Sequence, residues 1–248
     1  MKAETDCAAC PLRKFALFEA LDENDEEATR RFKDGERRVD PGTILMHEGM
    51  VSEDFYTVLS GMGLRYKTTP DGKRQVINFV LPGDFIGLQS GLMSEMKHSV
   101  ETTTRMHLCR FKRSSLLPFM RNNPGRAFDV TWLSAVEENL VAEALVSIGQ
   151  QPAATRLAWA LHRLYTRISA VGADLGPGRI PLPYTQQDMA DALGLSLVHT
   201  NRILRLLQTD GMISWRDKVL TVHDERALAN RAGMTADMQE TIPRRPLI

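Results

Sequence analysis

Apolar and polar positions change rhythm twice along this 248-residue chain. From about Arg37 to Phe111, short apolar runs alternate with turn residues. The runs include Thr43-Ile44-Leu45, Phe55 to Leu59, Gly63 to Tyr66, Gln75 to Val80 and Leu108 to Phe111. Turns are marked by Asp40-Pro41-Gly42, Ser60-Gly61, Pro70-Asp71-Gly72 and Pro82-Gly83-Asp84. Strands of this length and spacing predict an antiparallel barrel or jelly roll. From about Arg126 to Gln150 the period becomes helical. Leu133, Val136, Leu140 and Ala144 follow a rough heptad with Ile148 beside it, while Glu137, Glu138 and Glu143 fall away from that stripe. The stripe suits a two-stranded coiled-coil seam; a helix packed on its own barrel is the alternative. Gly149 to Pro152 breaks the helix and marks a domain boundary. A second helix from Ala153 to about Ile168 leads into a Gly/Pro loop from Gly172 to Pro183.

The segment Tyr184 to Ile213 has the spacing of a helix-turn-helix. Thr185 suits an N-cap, and Asp188 three residues on completes an approximate capping box. Met189 and Leu193 make an apolar stripe, small Ala190 lets a second helix cross closely, and Gly194 ends the first helix. Ser196 caps the second helix, which Ile203 and Leu206 anchor. Leu197, Val198, His199, Asn201, Arg202 and Arg205 lie near its outer face. A short row on the N-terminal half of a helix is what a major groove accepts. Ile213 to Val222 reads as two short strands around an Arg-Asp-Lys turn, the wing of a winged helix. One position departs from the pattern: Thr200 stands where a larger aliphatic residue is usual. A helical hairpin in a core is the competing reading.

Composition changes this picture little. Apolar content of 43% and charged content of 25% are those of a globular protein long enough for two cores. Formal net charge is zero, so nucleic-acid binding needs a local patch, which Arg202, Arg205, Arg216 and Lys218 supply. The polar N-terminus lacks a signal-peptide core and no apolar run suits a membrane span, so no membrane partner and a cytoplasmic location are expected. Three cysteines do not make a disulfide framework.

Barrel, long helix and winged helix-turn-helix together resemble the Crp/Fnr family of bacterial transcription regulators. The resemblance runs from about Cys7 to Val222. It rests on Pro41-Gly42, Gly49, Tyr56 to Gly61, Leu81 to Gly87 and the helix-turn-helix at the right distance. It implies an α+β fold with five parts: an N-terminal CxxC segment (1–20), an antiparallel β jelly-roll sensor domain of the cyclic-nucleotide-binding type (21–125), a dimerisation helix (126–150), a winged helix-turn-helix (151–225) and a C-terminal tail (226–248). It also implies a homodimer on a pseudo-palindromic operator, with half-sites about one helical turn apart. RNA polymerase is a further partner if the protein activates; activation and repression both stay open. By position, Arg202 falls where the family reads guanine. Val198 replaces a glutamate of many members and Leu197 an arginine of some, so a different operator is expected, with His199 and Asn201 taking part of the readout. Thr185, Gln186 and Ser196 are expected at phosphates.

What the barrel senses is less determined. Cyclic-nucleotide binders of the family carry Gly-Glu and Arg-Ser in two loops. Here these loops read Gly87-Leu88-Gln89 and Lys97-His98-Ser99, without the carboxylate or the arginine. Cyclic AMP is therefore not the expected ligand. Cys7, Cys10 and Cys109 resemble three of the four [4Fe–4S] ligands of oxygen-sensing relatives; the third N-terminal cysteine is absent. A metal-free packing segment, an Fe–S cluster and a redox thiol switch all stay open, and Asp6 is one candidate to complete a shell. Haem through His98 or His107 is a weaker alternative. The competing class is a cupin-like metal-dependent enzyme. His47 and Glu53 fall near cupin offsets, but Gly49 stands where the second histidine belongs. A regulator, not an enzyme, is the expectation.

Overall fold

The computed structural model describes residues 5–234 and Pro246. It falls into two compact units. One holds the described residues up to Lys67 together with Asn78–Leu140; the other holds Thr68–Ile77 and the described residues from Val141 to Met234.

The first unit is a jelly roll. Its strands are β1 (Lys33–Val39), β2 (Ile44–Met46), β3 (Asp54–Ser60), β4 (Gly63–Thr68), β5 (Arg74–Val80), β6 (Phe85–Ile86), β7 (Ser99–Thr102) and β8 (Met106–Lys112). They form two four-stranded sheets, ordered β1-β8-β3-β6 and β2-β7-β4-β5. Side chains from both sheets meet in one apolar core, including Val39, Val58 and Leu108 from one and Met46, Val80 and Val100 from the other. Five successive residues of β3, Phe55 to Leu59, are buried, so both faces of the strand are covered and Thr57 alone interrupts the otherwise apolar run. Gly61 turns β3 into β4 at φ +92, where a Cβ would also strike the Arg105 carbonyl. Three helices absent from the sequence expectations flank the sheets: α1 (Glu23–Phe32), α2 (Leu88–Met93) and α3 (Arg113–Asn122). Phe32 of α1 stacks on Phe119 of α3 at 4.0 Å between ring centres and leans on Phe111 of β8.

Helix α4 (Pro124–Gln150) agrees with the expected long helix. The heptad stripe, however, is not its solvent face. Leu133 is buried and Val136, Leu140, Ala144 and Ile148 are half-buried, whereas Phe128, Val141, Leu145 and Val146 are exposed. Glu137 and Glu143 are not simply solvated either. Glu137 takes a hydrogen bond from Arg65 at 2.7 Å, and Glu143 pairs with Arg163.

The second unit contains α5 (Ala153–Ala170), β9 (Arg179–Pro181), α6 (Gln186–Leu193), α7 (Leu197–Thr209), β10 (Ile213–Arg216), β11 (Val219–Val222) and α8 (Glu225–Arg231). The two wing strands pair from Ile213↔Val222 to Arg216↔Val219, and β9 adds a third strand inside the expected loop. Asp217 and Lys218 both hold positive φ, the backbone that a two-residue hairpin turn requires. Gly194 adopts φ 62 after α6, and the Gly194 and Leu195 N–H groups both return to the Ala190 carbonyl. Helix α8, which opens the expected tail, belongs to this unit. It packs on α5 and buries Leu228 and Ala229. The remainder of the tail, Pro246 apart, lies outside the described residues.

Thr200 sits fully buried in α7 and its hydroxyl oxygen has no partner among the described residues. Thr200→Val keeps the shape and removes that buried polar group, so it should stabilise the protein by about 1 kcal/mol. Urea denaturation reads this directly; a destabilised variant would show that the hydroxyl is bonded.

Candidate nucleic-acid interface and sensor sites

Helix α7 begins with a capped first turn: the Ser196 oxygen accepts the His199 N–H at 3.2 Å. This leaves the Ser196 hydroxyl proton available to an outside acceptor. Val198 is 80% exposed and Leu197 39%, while Arg202 and Arg205 are exposed and form no ion pair among the described residues. Arg202, Arg205, His199 and Leu206 border one groove whose other wall is Ala153 and Ala154 of α5. Asn201 differs from expectation. It is half-buried, and its side-chain carbonyl oxygen is enclosed without a partner among the described residues.

At the start of α6 the capping box is complete. The Asp188 N–H donates to Thr185 Oγ1 at 3.0 Å. Asp188 Oδ2 in turn accepts the Thr185 N–H at 2.7 Å and its hydroxyl at 2.8 Å. Thr185 is exposed, but its hydroxyl proton is thus engaged by Asp188. The Gln186 and Gln187 N–H groups remain at the positive end of the helix, where an anion is favoured. Asp188 Oδ1 ion-pairs with Arg74, whose Nε also reaches Asp191 at 3.1 Å. No local pattern marks this contact, because Arg74 lies 114 residues from Asp188.

The barrel loops that would hold a cyclic nucleotide do meet. The Lys97 N–H donates to Gln89 Oε1 at 3.1 Å, and Ser99 Oγ accepts the Glu48 N–H at 3.0 Å. Gly87 caps α2 with φ 96, and Leu88 opens that helix. The chemistry does not fit a cyclic phosphate diester. Lys97 is ion-paired with Glu95 at the surface. His98 is buried and uncharged, because burial and then the neighbouring Arg65 and Lys67 push its pKa down to about 3. The buried cation nearby, Arg65, is already held by Glu137 and by the Phe85 carbonyl at 2.9 Å.

Cys7, Cys10 and Cys109 line a single small cavity of about 40 Å³, together with Asp6, Lys33 and Glu36. Cys7 and Cys10 border a short 3₁₀ turn capped by Asp6, whose side chain accepts the Ala8 N–H; Cys109 lies on β8. Glu36 ties the N-terminal segment to the barrel. It accepts the Thr5 N–H at 2.7 Å and Lys33 Nζ at 2.8 Å, and it meets His107 Nε2 at 2.7 Å. Burial alone would raise the Glu36 pKa, but these hydrogen bonds outweigh it and hold the carboxyl at about 2. Burial raises all three thiols, Cys109 to about 12. Among the described residues, no group of three or more His, Cys, Asp or Glu is arranged around a metal position. The cupin candidates point elsewhere: His47 and Glu53 are both exposed, outside the apolar barrel interior.

Residues 36–123 match the model of the cyclic nucleotide-binding domain, and residues 155–231 that of the Crp-like helix-turn-helix domain. The chain is 30% identical over 211 residues to the nitrogen fixation regulation protein FixK of Bradyrhizobium diazoefficiens, covering 84% of this chain and 86% of that one. It is 27% identical to the transcriptional activator protein FnrL of Cereibacter sphaeroides, covering 93% of each. The solved structure of FixK2 from Bradyrhizobium japonicum superposes with a TM-score of 0.73 at 26% identity, covering 81% of this chain and 98% of that one. Among the described residues, no helix is long and apolar enough to cross a membrane.

Two outcomes follow from the cysteine cavity. A thiol at about 12 instead of the ordinary 9.0 carries roughly a thousandfold less thiolate at neutral pH, so Cys109 should alkylate that much more slowly than a free thiol. The Glu36 tie is complete above the ordinary carboxyl pKa of 4.5 and is lost only as pH falls through about 2. Glu36→Gln removes it at neutral pH and should speed iodoacetamide labelling of Cys7 and Cys10 several-fold. Unchanged labelling would show that other contacts hold the segment.

Proposed function

The chain belongs to the Crp/Fnr family of DNA-binding transcription regulators, and on that premise we propose that it acts as a homodimer whose paired α7 helices read a pseudo-palindromic operator. One observation carries this reading: exposed Arg202, free of ion pairs among the described residues, stands one helical turn from exposed Val198 on the N-terminal half of α7. Arg202 reads guanine through a two-point hydrogen bond, and Val198 packs on a thymine methyl. Valine has no acceptor for cytosine, so an operator that demands cytosine at that place is disfavoured. His199 and Arg205 flank the readout. Ser196 and the α6 N-terminus at Gln186 hold phosphates, which sets position without specifying sequence. Thr185 contributes through the box, not through its engaged hydroxyl, and the wing adds Arg216 and Lys218.

The dimer forms along the exposed apolar face of α4, with Phe128, Val141, Leu145 and Val146 at the seam. The parts of the chain are the CxxC segment, the barrel, the dimer helix and the winged helix, the last extended to include α8. An activator that contacts RNA polymerase in the cytoplasm is supported by relatives named as activators. The function is regulation, with no catalytic step assigned. The barrel is not a cyclic AMP receptor. Its sensor candidate is the cavity of Cys7, Cys10 and Cys109, a place where thiol oxidation would alter how the N-terminal segment docks on β1 and β8.

Arg202→Ala should cost about 1–3 kcal/mol at the selected operator and relax the base preference there. Unchanged affinity would remove Arg202 from the readout. Saturating cyclic AMP should leave operator affinity unchanged in a fluorescence-anisotropy titration; a tenfold tightening would overturn the reading of the barrel loops.

A further inference from the structure

The hairpin of β4 and β5 does something that its sequence neighbourhood does not suggest. Its tip, Thr68–Ile77, lies in the stretch matched by the cyclic nucleotide-binding model, yet it belongs to the compact unit that contains the helix-turn-helix. Three contacts join it to α6. Arg74 pairs with Asp188 and with Asp191, and Gln75 Nε2 donates to the Ala192 carbonyl at 3.3 Å.

The chemistry of Asp188 makes the first contact consequential. Its two carboxylate oxygens have separate tasks: Oδ2 closes the capping box on Thr185, and Oδ1 receives Arg74. The side chain is nearly buried, 8% exposed, so the carboxylate depends on its partners for compensation. Its orientation fixes Thr185 and therefore the first turn of α6, where the Gln186 and Gln187 N–H groups project. At the other end, Gln75 holds the Ala192 carbonyl, and Arg156 holds the Leu193 carbonyl at 3.0 Å. Helix α6 is thus gripped at both termini, and the hairpin takes part in both grips.

We propose that Arg74 is a positioning residue for DNA binding, which orients the first turn of α6 toward the DNA phosphates through Asp188 and Asp191. This rests on the reading of α6 and α7 as the DNA-binding element. The hairpin leaves the outer face of α7 open, as the 80% exposure of Val198 shows, so its grip supports DNA binding and does not block it. Nearer its base the same hairpin carries Arg65 and Asn78, both hydrogen-bonded to Glu137 of α4.

The test uses the full-length protein and the operator it selects from random DNA. Arg74→Ala should weaken binding about tenfold for the operator and for unrelated duplex alike, since phosphate contacts carry no sequence information. The selected sequence should not change. Arg74→Lys, which keeps the charge, should restore most of the loss. Should Arg74→Ala fail to fold, Arg74→Gln takes its place with the same expectation. Binding within twofold of wild type overturns the proposal, as does a loss confined to the operator. A wild-type protein that selects no operator while remaining folded overturns the underlying reading, and this one with it.

Discussion

The angle between α6 and α7 is the constraint on which the DNA-reading geometry depends. It is made by a turn of three residues with little freedom. Gly194 takes the left-handed conformation, the Gly194 and Leu195 N–H groups close on the Ala190 carbonyl, and Ser196 starts the next helix. A side chain at residue 194 would be strained at φ 62. Ala190 and Met189 are fully buried beneath the turn, so the crossing is also fixed by packing. With that angle set, Leu197, Val198, Arg202 and Arg205 are presented outward while Ile203, Leu204 and Leu207 are buried.

Much of this was legible in the sequence because the signals are local. The box of Thr185 and Asp188, the glycine at 194, the cap at Ser196 and the polar wing turn each act within a few residues. The barrel was legible for a similar reason: its turns carry glycine and proline between runs of apolar residues. What was not legible depends on distant partners. Helix α1 is rich in charged residues and becomes structural only through Thr29, Ala28 and Phe32 on its buried face. Periodicity along α4 cannot tell which of two apolar faces the rest of the chain covers. Of the stripe, Leu133 is buried and Val136, Leu140, Ala144 and Ile148 are half-buried, while Phe128, Val141 and Leu145 remain exposed. The pairing of Arg74 with Asp188 has no local trace at all.

The barrel matches the cyclic nucleotide-binding domain, but its two loops carry different side chains from those that would recognise a cyclic phosphate. Gly87 caps α2, and Gln89 meets the Lys97 N–H, so the two loops lie together. The charges that would recognise a cyclic phosphate are absent or already engaged. Arg65 is held by Glu137, Lys97 by Glu95, and His98 is neutral. Three thiols instead gather where the N-terminal segment meets β1 and β8, held there by Glu36 and Lys33. Burial keeps these thiols protonated, so their reactivity depends on how firmly that segment is docked.

The most direct measurement is selection of bound duplexes from random DNA by the purified full-length protein. The account predicts a two-fold symmetric site whose half-sites lie about one helical turn apart. Each half-site should carry a guanine opposite Arg202 and a thymine where Val198 approaches. A single asymmetric site would contradict the paired α7 helices, and a cytosine required beside Val198 would contradict the apolar contact. No enrichment at all would contradict the assignment of α7 as the reading helix.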